Sequence, residues 1–145
     1  MERKLQFRGK RIDNGEWVVG DLLHIAGGCL IYFGSDADTT ESDIEESNPI
    51  AVEFFKDEIA VVDPDSVGQF TGMLDRNGKE IYENDVILQQ AYSGKKPMLV
   101  RFEHGAFVTG EHSGSSTAIR PMLIQKRCEV LGNIYDNPGL ISDKR

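Results

Sequence analysis

The sequence predicts a mainly β domain of short antiparallel strands, a barrel or a sandwich, on three observations. Apolar residues come in runs of four to seven, the length of strands and too short for most packed helices. The runs are separated by Gly, Pro, Asn, Asp and Ser, which interrupt regular structure. Tight-turn pairs recur between them, at Asn14-Gly15, Gly27-Gly28 and Asn77-Gly78, and such pairs accept the positive φ angles of hairpin turns.

In chain order, Gln6–Ile12 and Glu16–Val19 flank Asp13-Asn14-Gly15, and Leu22–Ala26 and Cys29–Phe33 flank Gly27-Gly28, giving two hairpins. Residues 35–50 are acidic and polar, an acidic loop or a single helical turn capped by Thr40 or Ser42. Ile50–Phe55 and Glu58–Val62 are rich in β-branched and aromatic residues, as strands are. Val52, Phe55 and Ile59 also fall at helical spacing, so Val52–Ile59 reads as either helix or strand. Asp63-Pro64-Asp65 is a turn, Val67–Gly72 is extended, and Asp75-Arg76-Asn77-Gly78 closes a third hairpin. Val86–Tyr92, Met98–Glu103, Ala106–Gly110, Met122–Gln125 and Cys128–Tyr135 complete the strands. Ser93–Pro97 and Glu111–Ala118 are expected loops, and residues 136–145 a terminal turn.

A chain of 145 residues at 39% hydrophobic and 28% charged is expected to fold as one domain over 1–145 with its own core. No apolar stretch is long enough to span a bilayer, and no apolar segment follows the basic start as in a secretory signal. Two cysteines, Cys29 and Cys128, make no disulfide framework. The expectation is a cytoplasmic protein with free thiols and no membrane contact. A net charge of −8 argues against a general duplex binder, which needs cations against phosphate. The charge is uneven. Arg3, Lys4, Arg8, Lys10 and Arg11 face Glu2 alone in residues 1–12, whereas residues 36–65 carry eleven acids against Lys56.

No constellation of catalytic or metal-binding residues stands out. His24, His104, His112, Cys29 and Cys128 show no ligand spacing. Asp75-x-Asn77 opens like a calcium loop, but Lys79 and Glu80 break the pattern. Ser113–Thr117 lacks the glycine and lysine spacing of a phosphate loop. Glu80, Glu83 and Asp85 cluster near Tyr82 and would suit acid–base work only inside a pocket that separates their pKa values. No catalytic residue, cofactor or metal is therefore expected.

Three segments carry a resemblance. Phe7-Arg8-Gly9-Lys10 leads to Trp17-Val18-Val19-Gly20-Asp21-Leu22. Gly68–Val86 reads GQFTGMLDRNGKEIYENDV, and Val130–Pro138 reads VLGNIYDNP. In order and spacing these resemble the opening, central and closing motifs of the YopX family. The resemblance implies a protein of bacteriophages and prophages, a β-rich pseudo-barrel with a small helical cap, and no assigned activity. Its signature positions here are Gly72, Asn77, Gly78, Tyr82, Asp85, Gly132, Asn133, Tyr135 and Pro138. They read physically as folding residues: glycines at unusual backbone angles, an Asn-Gly hairpin, and an Asp85 carboxylate accepting backbone N–H bonds. Phe70, Ile81, Tyr82, Val86 and Ile87 are expected in the core.

The expected role is non-enzymatic: an accessory protein that binds an unidentified phage or host protein, with self-association through sheet edges a further expectation. The residues named for that surface are Asp36, Asp38, Glu41, Asp43, Glu45 and Glu46 with Phe54 and Phe55. A nucleic-acid module using Arg3, Lys4, Arg8, Lys10 and Arg11, with Lys95 and Lys96, is the alternative. A carboxylate hydrolase using Glu80, Glu83 or Asp85 is the third reading.

Overall fold

The computed structural model describes residues 4–34, 58–91, 94–110, 116–118 and 127–141. Eleven strands run through them, so the chain is mainly β. The helical elements lying wholly within the described residues are 3-10 turns at Pro64–Ser66 and Pro138–Leu140. The chain divides into two compact units, Gln6–Val67 and Met1–Leu5 with Gly68–Arg145.

In the first of these, β1 (Phe7–Lys10), β2 (Trp17–Ile25), β3 (Gly28–Tyr32) and β4 (Ile59–Val62) are antiparallel in the order β4-β3-β2-β1. The inner face collects Cys29, Ile31 and Val62, with Phe7, Val18, Leu22, Phe33 and Val67 packed on them. Beyond β3, β4 meets the chain leaving β1. Ile12 donates to the Val61 carbonyl at 3.1 Å, and Asp63 to the Lys10 carbonyl at 2.9 Å. Both edges of β4 therefore carry backbone hydrogen bonds, which removes one open sheet edge. Gly20 is required by this packing, because a Cβ there would overlap the Tyr32 carbonyl oxygen.

The second unit holds β5 (Gly68–Leu74), β6 (Glu80–Tyr82), β7 (Asp85–Ala91), β8 (Gly94–Glu103), β9 (Ala106–Gly110), β10 (Ser116–Ala118) and β11 (Cys128–Asn133). The last five form one sheet in the order β10-β9-β8-β7-β11. Ile81, Ile87, Val100 and Cys128 are its core, with Met73, Met98 and Val130 against them. Phe70, Tyr82 and Val86 are buried too, and the Phe70 and Tyr82 rings lie 5.5 Å apart.

Four local readings change, the first being that Ser116–Ala118, at the end of the expected Glu111–Ala118 loop, is strand β10 because it pairs with Val108–Gly110 of β9. The β2–β3 turn is Ala26-Gly27, because Ile25 pairs with Gly28; Ala26 and Gly27 have φ of 50° and 79°, the signs of a type I′ turn. The β1–β2 connection is longer than an Asn-Gly hairpin: Arg11 donates to the Glu16 carbonyl and Gly15 to the Arg11 carbonyl. Asn14 contributes through its side chain, which accepts from the Glu16 N–H at 2.9 Å. Strand β8 starts at Gly94, not Met98, and Pro97 pairs with Leu88. Pro97 is tolerated because β9 joins β8 only from Leu99 onward, so its missing N–H lies where β8 pairs on one side. The expectations for 35–57 and Met122–Gln125, including most of Val52–Ile59, lie outside the described residues.

An alanine in the left-handed region costs about 1–2 kcal/mol. Ala26→Asn is therefore expected to stabilise the protein by about 1 kcal/mol, read as a higher urea midpoint with an unchanged slope.

Candidate interaction surface

Strand β1 is basic at alternating positions, Arg8 and Lys10, and alternate residues of a strand share one face. Arg8 pairs with Val19 and Lys10 with Trp17 across the ladder, which puts both cations and the indole on the outer face. The Arg8 guanidinium lies 5.0 Å from the Trp17 ring centre and the Lys10 ammonium 5.9 Å, within cation–π range. Arg11 is engaged elsewhere. It grips Asp13 through two hydrogen bonds of 2.9 and 2.7 Å, and lies 5.9 Å from the Phe33 ring. The Asp13 hydrogen bond raises the Arg11 pKa and lowers that of Asp13. Lys4 lies in the other unit, 3.8 Å from Glu80, and Arg3 lies outside the described residues.

The same outer face continues along β2 as Val19, Asp21, Leu23 and Ile25. The register brings Leu30 beside Leu23, and Val61 beside Leu30. A solvated face of an antiparallel sheet is ordinarily polar. Here Val19, Leu23, Ile25 and Val61 are 41, 37, 57 and 52% exposed, contiguous through the partly buried Leu30. One carboxylate, Asp21, interrupts them, and Tyr32 beside it donates to Glu58 at 3.2 Å. Burial, then that hydrogen bond, raise the Tyr32 pKa. Exposed apolar groups arrayed side by side mark an interaction surface.

The signature positions sit in turns and junctions. Gly72 and Gly78 have φ of 84° and 81°, Gly72 within the irregular β5–β6 pairing and Gly78 closing that hairpin. Buried Asp85 accepts the Tyr82 N–H at 2.8 Å. A Cβ on Gly132 would meet the Asn137 side chain. Asn133 accepts from the Asp136 N–H at 2.8 Å, while its carbonyl takes the Asn137 N–H at 2.8 Å. Tyr135 follows in that turn, and Pro138 begins the 3-10 turn.

The residue that composition alone does not single out is Asp75. It is buried at the base of the β5–β6 hairpin. Its Oδ1 accepts the Asn77 and Lys79 N–H groups at 2.8 and 2.9 Å, and its Oδ2 accepts the Val130 N–H of β11 at 3.0 Å. Burial pushes the carboxyl up, but the donors from Val130, Lys79 and Asn77, with the Lys79 charge, outweigh it and hold the pKa below the usual range. The Asp-x-Asn spacing that opens like a calcium loop is thus occupied by backbone donors. Its charge also bears on Cys128, whose thiol is pushed up first by burial and then by Asp75.

The other carboxylates are tied into the scaffold separately. Glu80 takes the Tyr82 hydroxyl at 2.7 Å, and Glu83 accepts the Gln69 N–H at 3.4 Å. Among the described residues no three His, Cys, Asp or Glu side chains gather as a metal site. Cys29 and Cys128 belong to different cores. Lys95 lies with Arg76, Arg127, Leu88, Gln90 and Glu129 around a shallow groove, where Arg76 pairs with Glu129 at 3.3 Å. Asp36, Asp38, Glu41, Asp43, Glu45, Glu46, Phe54 and Phe55 lie outside the described residues. No helix among the described residues is long and apolar enough to cross a membrane.

These are a β scaffold held by its motifs and a separate exposed face, and comparison with known proteins places the scaffold. The sequence profile of the YopX family, described as YopX protein, matches residues 6–142; the chain belongs to that family. It also resembles the crystal structure of protein EF1440 from Enterococcus faecalis, with a TM-score of 0.53 and 19% identity over 97% of this chain and 100% of that one. That likeness is one of fold. No curated protein matches the sequence.

Asp75→Asn turns one carboxylate oxygen into a donor facing an N–H group, and is expected to cost about 1–3 kcal/mol in chemical unfolding. The sign of the pH effect follows from a folded pKa below the unfolded value of about 3.9. The Asp75 contribution is complete above that value and is lost as pH falls through the folded pKa. Acid titration of stability is expected to be shallower in Asp75→Asn than in the wild type.

Proposed function

We propose that this protein is a non-enzymatic accessory protein of phage or prophage origin, acting in the bacterial cytoplasm by binding another protein. The observation that supports the reading is the outer face of β2, β3 and β4, where Val19, Leu23, Ile25 and Val61 stand exposed beside Trp17. An apolar centre with an aromatic and an arginine at its margin has the composition of a protein-binding site. The motif-bearing unit supplies the scaffold in this reading, and the pseudo-barrel and helical cap implied by the family belong to the same proposal. Glu80 and Asp85 serve backbone and tyrosine partners, which weighs against the hydrolase reading.

The test is capture from lysate of a natural host with tagged wild type, Val61→Lys and Leu23→Ser. The reading expects a nuclease-resistant partner held by the wild type and lost, by about tenfold or more, with either substitution. Equal capture by all three proteins contradicts it. One observation favours a second reading, single-stranded nucleic acid: Trp17 has two cations close to its ring centre, at 5.0 and 5.9 Å, and base-stacking platforms combine aromatics with cations. That reading expects a salt-sensitive mobility shift abolished by Trp17→Ala, and no shift at low salt removes it.

A further inference from the structure

The outer face of the Gln6–Val67 sheet has a charge order that suits it to its own copy. Along β2 its rows read Lys10 with Trp17, Arg8 with Val19, Asp21 with Tyr32, Leu23 with Leu30, and Ile25 with Gly28. Cations therefore stand on one side of the midpoint between Val19 and Asp21, with the carboxylate just beyond it. Rows on one face are spaced about 7 Å apart, and stacked sheets lie about 10 Å apart. A two-fold axis crossing the strands at that midpoint reverses the row order of the second copy. Trp17 of each copy then lies over the Leu23 and Leu30 row of the other. Arg8 of each comes diagonally within side-chain reach of the other's Asp21. The contact is self-complementary, as a two-fold interface must be.

The electrostatics favour this face for pairing. The chain as a whole carries −8, a charge that opposes association. Among the described residues of this face Arg8 and Lys10 match Asp21 and Glu58 in number, so apolar surface is offered where the acidic excess of the chain is balanced. In a solution of the pure protein, a second copy is the occupant at hand.

We infer that this face is covered by a second copy of the chain, joined about a two-fold axis between the Val19 and Asp21 rows. The inference rests on the reading of the face as a protein-docking surface, and names its first occupant. Dissociation of the pair then exposes the same residues to another protein.

Sedimentation equilibrium of the intact chain across the micromolar range tests it. The wild type is expected to show a monomer–dimer equilibrium. Val61→Lys and Leu23→Ser, each checked for an unchanged unfolding transition, shift it to monomer. Arg8→Asp weakens the dimer by about tenfold or more, and Arg8→Asp with Asp21→Arg restores it, a rescue that general damage to the fold would not give. A wild-type monomer throughout the range overturns the inference, as does a dimer indifferent to Val61→Lys and Leu23→Ser. A wild-type monomer whose lysate capture is still lost with Val61→Lys overturns self-pairing alone. A dimer dissolved by Val61→Lys with capture unchanged supports self-pairing and contradicts the lysate-docking reading.

Discussion

Asp75 is the constraint on which the motif-bearing unit depends. One buried carboxylate closes the β5–β6 hairpin through Asn77 and Lys79, and reaches the backbone of β11 through Val130. The Arg76 N–H donates to the Cys128 carbonyl at 3.0 Å, so hairpin and strand are joined twice in adjacent positions. A buried carboxylate is costly unless its lone pairs are satisfied, and three backbone donors satisfy these. The joint fixes where β11 lies, and with it Cys128 and Val130 in the core shared with Ile81, Ile87 and Val100.

This arrangement explains why the family's motifs carry structure. Asn84, at φ 71°, donates to the Val100 carbonyl and accepts from the Ile134 N–H, so the turn before β7 is bonded to β8 and to the end of β11. Asp85 holds the preceding turn, and Asn133 the following one. The polar residues of the central and closing motifs thus meet at the ends of β7 and β11. The fold itself recurs at 19% identity in the Enterococcus faecalis protein.

Much of the fold was legible because it is local. The Asn77-Gly78 turn, the strand at Ala106–Gly110 and the Asp63 turn depend on residues a few positions apart, and the structure shows them. Asp75 was not legible in its real role because its decisive partner, Val130, is 55 residues away. Ala26 escaped notice because an alanine in left-handed conformation is held by the β2–β3 register rather than by its own preference. The candidate surface was hidden for a different reason. In WVVGDLLHI both alternating sets are largely apolar, so periodicity alone does not say that Val18 and Leu22 face the core while Val19 and Leu23 face out. The basic segment likewise read as one patch, but strand alternation and the Arg11–Asp13 pair divide it.

The central claim is that the motif residues build the scaffold and the outer face of β2, β3 and β4 does the binding. Hydroxyl-radical footprinting of the chain, as a dilute monomer and in complex with the protein it captures, tests this most directly. The account predicts protection of Trp17, Leu23, Ile25 and Val61, with the Arg76–Lys79 loop and Tyr135 unchanged. Protection of that loop and Tyr135, with the outer face still reactive, would contradict it.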